Sequence, residues 1–280
     1  MDLNTAAGAL PVSVLVFIAL TIVLSIIVPV AFFIHLRNSG PVSFRPVLAG
    51  MAAFIIAVMV LERMLHLLVL QVDSPVSRFL SQGGVINALC YGLYGAFAAG
   101  IFEETARYIA YTTYLKQANG RRIPLLYGIG HGGMEAFLIC TLPMLANFVT
   151  AAALRRRGLD DFLSGYPAAD AAVLRETFTT FYTTPAASYL LAGVERILAF
   201  AIHVSLSVLV YIAVKNVKRR LLFPYAIMIH AVVDFVPALY QAGLITSVAL
   251  VETYTAVSAI FLVFLARVLY KKNLMNLPEL

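Results

Sequence analysis

Charge is scarce in this sequence. Only 12% of its 280 residues are Asp, Glu, Lys or Arg, 61% are hydrophobic, and the mean hydropathy is +0.91. A water-soluble domain carries about twice that charged fraction, and so many apolar side chains facing water would leave large exposed patches. An ordinary soluble domain is therefore excluded, and the chain reads as embedded in lipid. Cysteine is scarce too. Cys90 and Cys140 both fall in apolar stretches without the CxxC spacing of a zinc or redox site, and read as small core residues. Internal repeats and low-complexity tracts are lacking. The first apolar run, from Leu10 to Ile34, has no basic segment before it and exceeds the apolar core of a cleaved signal peptide, so it reads as a retained span.

What is present is a series of apolar stretches about 20 residues long, the length an α-helix needs to cross the hydrocarbon core. Seven are expected, at 11–35, 46–70, 87–116, 124–150, 188–214, 221–244 and 247–270, separated by turn signals such as Asn38-Ser39-Gly40-Pro41, Gln82-Gly83-Gly84 and Gly243. The fold class is an all-α polytopic transmembrane helix bundle. It is read as a single integral membrane domain, 1–280, with its site in about 87–244 and an extramembrane segment at 151–187 that has room for an interfacial amphipathic helix.

The formal charge of +6 and pI near 9.4 do not imply nucleic acid, because the basic residues flank the apolar runs instead of forming one patch. Arg37 and Arg45 follow span one, Lys116, Arg121 and Arg122 span three, Lys215, Lys218, Arg219 and Arg220 span five, and Lys271 and Lys272 span seven. Basic loops stay cytoplasmic, which gives an N-terminus outside and a C-terminus in the cytoplasm. Arg155-Arg156-Arg157 runs against that alternation but is accompanied by Asp160, Asp161, Asp170 and Glu176.

A charged side chain at the bilayer centre costs about 2.5–3.5 kcal/mol on insertion scales, so each needs a partner or a task. Here they cluster. Span three holds Glu103-Glu104-Thr105-Ala106-Arg107, in which Glu103 and Arg107 share a helix face. Two neighbouring carboxylates in low dielectric do not both ionise cheaply, and a carboxylate poised in that way is what a general base requires. Span four holds His131 and Glu135 at i, i+4 among four glycines, span five Glu195 and His203 two turns apart, and span six His230 with Asp234 one turn on. Glu62, Arg63 and His66 in span two repeat the pattern. Such pairs also simply hold helices together, at about 0.6 kcal/mol per interhelical hydrogen bond, and that reading weighs most for span two.

Glu-Glu-x-x-Arg on one helix, Gly-His-Gly-Gly-x-Glu on the next, Glu-Arg…His on a third and His-x-x-x-Asp on a fourth resemble the glutamic-type intramembrane proteases related to the CAAX prenyl proteases and bacteriocin-processing enzymes. The likeness is closest to the bacterial YhfC family and covers about residues 45–240. It implies an intramembrane endopeptidase of the bacterial plasma membrane that acts on a membrane protein or peptide. Glu103 and His203 would activate a water with Glu104 assisting, and His230 and Asp234 would position the carbonyl or stabilise the oxyanion. Arg107, His131, Glu135 and Glu195 would support them. Since no His-Glu-x-x-His occurs and the histidines come singly from different helices, metal-free glutamate chemistry with no cofactor is expected. The alternative is zinc on Glu104, His203 and His230. Outside proteolysis, a proton-coupled transporter and a catalytically silent scaffold are the competing functions. A transporter of that kind would show inverted repeats and broken helices at matching positions, which the sequence does not.

Overall fold

The computed structural model describes residues 9–280, in which all regular structure is helical. Ten helices follow in order: α1 (Val12–Ser39), α2 (Phe44–Gln71), α3 (Pro75–Ser81), α4 (Val85–Thr112), α5 (Ile123–Arg157), α6 (Leu159–Leu163), α7 (Ala168–Thr183), α8 (Ala186–Lys215), α9 (Leu222–Gln241) and α10 (Val248–Asn273). Seven of them, α1, α2, α4, α5, α8, α9 and α10, are long and apolar enough to cross a membrane. These are the seven expected spans, with ends displaced by only a few residues except at α5. The expected N-terminal placement outside concerns residues that lie outside those described.

Local chemistry sets the helix ends. Ser43 caps α2, Ser247 caps α10, and Ser74 and Ser77 form a reciprocal capping box around Pro75 at the start of α3. The stretch from 151 departs from the expected loop. α5 runs on to Arg157, where three arginines complement the carbonyl end of the helix dipole. Gly158, at φ +77°, then stops it in a conformation that side chains rarely adopt. Two features are invisible to a hydropathy reading. α2 widens into π turns at Ile55–Glu62 and Leu67–Gln71, and α5 does so at Ala136–Thr141.

The chain divides into two compact units. The first comprises residues up to Val28 and Ala136–Ile197. Its core packs Leu10, Val14 and Ile18 of α1 with Leu154 of α5, Leu159 and Leu163 of α6 and Phe181 of α7. Ser25 and Thr141 share a hydroxyl hydrogen bond of 2.8 Å, the kind of polar contact that joins helices in lipid.

The second unit comprises Pro29–Glu135 and Leu198–Leu280. Here α2 packs on the first half of α5, α4 lies along α9, and Tyr111, Tyr127, Leu206, Leu209, Tyr211 and Leu262 fill the centre. α2 and α5 meet backbone to backbone. A Cβ on Gly130 would strike the Val47 carbonyl oxygen, and one on Gly50 would strike the Tyr127 carbonyl and the His131 amide. Only glycine permits that approach, and it places His131 against α2. Val30 and Ile34 of α1 and Val257, Ile260, Phe261 and Phe264 of α10 are exposed here, as are Val16, Leu20, Val23 and Ile27 of α1 in the first unit. Such faces suit lipid and not water.

Candidate metal centre

Four helices of the second unit deliver the ionisable side chains to one cluster. On α4, successive residues point about 100° apart, so Glu103 and Glu104 turn to different neighbours. Glu103 Oε2 accepts from His131 Nε2 of α5 at 2.8 Å and lies 3.5 Å from His203 Nδ1 of α8. Glu104 Oε1 accepts from Arg107 one turn along the same helix and from His230 Nδ1 of α9 at 2.7 Å. Arg107 Nη2 donates to His203 Nδ1 at 2.8 Å, and Nε2 of that ring lies in ion-pair contact with the Glu135 carboxylate. His230 Nε2 stands 3.3 Å from Asp234 Oδ2 and 3.9 Å from Glu103 Oε1.

The cluster is dry. Glu104, Arg107 and His131 are fully buried, and Glu103, Glu135, His203 and His230 are each less than a tenth exposed. Asp234 alone among these residues opens outward, its side chain 38% exposed. Aromatic walls fix the imidazoles: Phe54 meets His131 edge-on at 5.4 Å, Tyr127 stacks on it at 6.0 Å, and His203 lies 5.1 Å from His131 and 5.5 Å from His230. Counted from the helix ends next to the basic loops, His131, Glu103, His230 and His203 lie about 12–18 Å deep at 1.5 Å per residue.

Of the residues singled out in the sequence, Glu103, Glu104, Arg107, His131, Glu135, His203, His230 and Asp234 therefore come together. Glu195 does not take part in this network. It belongs to the first unit, where it pairs with Arg196 at 2.5 Å. The i, i+4 spacing of Glu103 and Arg107 is also not the principal pairing, since their closest approach is 3.9 Å and the guanidinium binds Glu104. Phe54 and Tyr127, which frame His131, carry no charge and so escaped a search for charge in apolar spans.

Glu103, His131 and His203 bring one ligand atom each to within 4.8 Å of one another. Two imidazoles and a carboxylate are a catalytic-zinc donor set, and ligands at about 2.0–2.1 Å on a tetrahedral ion stand about 3.4 Å apart. The 2.8 and 3.5 Å separations from Glu103 Oε2 bracket that figure. His131 Nδ1 is buried with no hydrogen-bond partner, an orphaned polar atom beside the donor set. The residues fit a divalent metal. Arg107 contends for the same lone pair of His203.

A family model described as YhfC intramembrane metalloprotease matches residues 24–255. The chain belongs to the YhfC family. A protein of Bacillus subtilis (strain 168) described as an uncharacterized membrane protein YhfC is 32% identical over 249 residues, covering 89% of this chain and 93% of that one. No solved structure matches the chain.

Membership of the YhfC family and the Glu103, His131 and His203 cluster together correct the expectation of a metal-free, glutamic-type enzyme without cofactor. The family is described as metalloproteases, and a metal-binding donor set is present. The expectation failed because it took a missing His-Glu-x-x-His for a missing site. That motif is needed only where one helix supplies two ligands, whereas here α4, α5 and α8 supply one each. The set that converges also differs from the zinc alternative of Glu104, His203 and His230, since Glu104 Oε1 is held by Arg107 and His230 instead.

Proposed function

We propose that the chain is a metal-dependent intramembrane endopeptidase of the bacterial plasma membrane, hydrolysing a peptide bond of a membrane-associated protein or peptide. The observation that carries this reading is the convergence of Glu103, His131 and His203, buried, from three helices onto one point.

Glu103 Oε2 and one nitrogen each of His131 and His203 would hold the ion, with zinc the metal the donor set favours. When bound, it supplies Lewis acidity, acidifying water and polarising a carbonyl. The remaining steps fall to the chain. Glu135, in ion-pair contact with His203 Nε2, fixes the orientation of that ring. Glu104 has a second carboxylate oxygen, buried and without a partner, which takes the proton of the attacking water while Arg107 balances its charge. His230, between Glu104 and Asp234, passes that proton to the departing amine as the C–N bond breaks. The hydroxyl ends on the new carboxyl group and the proton on the new amine, which closes the hydrolysis.

Glu104→Gln separates proton transfer from metal holding. In detergent-purified protein it retains metal but cleaves membrane peptides at least about 100-fold more slowly, the lower range for a lost general base. His131→Ala loses metal and cleavage together. Undiminished cleavage by Glu104→Gln would refute the assignment.

A further inference from the structure

Between α2 and α4 the second unit carries an apolar groove of about 630 Å³. Leu48, Ile56 and Leu61 line one wall and Ile101, Ala106 and Tyr114 the other, and no charged residue contributes to it. The faces that Glu103 and Glu104 present to the metal-site cluster point elsewhere on α4, so the groove is separate from that site.

Its two ends differ. Five residues beyond Leu61, His66 Nδ1 and the Tyr94 hydroxyl make a 2.8 Å hydrogen bond that ties α2 to α4. At the other end, Arg45 lies over the Tyr114 ring at 4.6 Å and donates to the Tyr114 carbonyl. Arg45 is exposed and has no carboxylate partner among the described residues. From Leu48 to Leu61 the wall runs about 20 Å at 1.5 Å per residue. One leaflet of a roughly 30 Å hydrocarbon core is about 15 Å deep. A transmembrane helix would need the full core, which the groove does not span.

We propose that this groove is a binding site for an anionic phospholipid, one acyl chain lying along α2 and α4 and the phosphate on Arg45. The groove is long enough for an acyl chain of one leaflet, apolar apart from Thr105 and Tyr114, and ends at a cation whose hydrogen-bonding capacity is only partly used. Guanidinium matches phosphate in charge and in fork geometry. This site does not depend on the peptidase reading.

Delipidated full-length protein, given phosphatidylglycerol or phosphatidylcholine in mild detergent and examined by native mass spectrometry, tests it. The wild type binds phosphatidylglycerol about fivefold more tightly, the preference expected of one basic side chain at a lipid surface. Arg45→Gln removes the preference, Arg45→Lys keeps most of it, and Arg37→Gln leaves it intact. Ala52→Phe, which fills the groove from an exposed position, lowers the binding of both lipids while the protein still elutes as a folded species. Equal binding of the two lipids by the wild type, or an unchanged preference in Arg45→Gln, overturns the proposal. So does a photoreactive side chain at Ile56 that, in native membranes, captures a peptide in place of lipid.

Discussion

Glu103 and Glu104 are neighbours in sequence that turn to different principal partners. One faces two imidazoles, and the other faces a guanidinium and a third imidazole. Arg107 stands between them, fully buried, so its loss strands Glu104 as an uncompensated buried charge. Arg107→Met should cost about 3–5 kcal/mol of stability, measured as a fall in the denaturation midpoint in detergent. Glu135→Gln weakens the hold on the His203 ring and should lower metal affinity about 10–100-fold, read by competition with a chromogenic chelator. Glu104, His203 and His230 were legible because a charge in an apolar span is costly and therefore conspicuous. What was not legible was which carboxylate meets which partner. Helical spacing alone put Arg107 with Glu103 and His131 with Glu135, whereas Arg107 binds Glu104 on the same helix and His131 meets Glu103 across helices.

At the level of elements, the spans were legible because lipid imposes a length and a polarity that a window of about 20 residues detects. Lipid does not dictate the path of the backbone within a span, and so the π turns of α2 and α5 left no trace in hydropathy. The turn at Ala136–Thr141 begins immediately after Glu135, a member of the buried ionisable cluster. π turns are frequent at functional sites. The glycines around His131 were read as permitting close approach by a backbone or a substrate. Gly130 permits a backbone, that of Val47 on α2. Gly130→Val should therefore push α2 and α5 apart and cost at least about 1–3 kcal/mol, the usual range for overpacking. Gly165, where an added Cβ meets nothing, is the control expected to change little. Thermal unfolding of the two variants in detergent compares them directly.

At the scale of the molecule, the basic loop between α4 and α5 holds the end of the chain. Arg121 and Arg122 donate their backbone amides to the carbonyls of Pro278 and Glu279, and Arg121 pairs with the Glu279 carboxylate at 2.5 Å. That hydrogen bond, with Arg122 nearby, holds the Glu279 pKa below its ordinary value of 4.5. A carboxylate whose folded pKa is depressed stabilises above its unfolded pKa and stops doing so as pH falls through the folded one. A spin label at Asn276 should be restrained at pH 7 and released only below about pH 4.5, and Glu279→Gln should free it at both. The family description and the donor cluster meet on one claim, that Glu103, His131 and His203 hold a metal ion. Elemental analysis of the purified protein tests it most directly. About one equivalent of zinc per chain is expected, falling to background in Glu103→Gln and His131→Ala while both remain folded. Zinc at background in the wild type, with peptide cleavage undiminished by a chelator, would contradict the account.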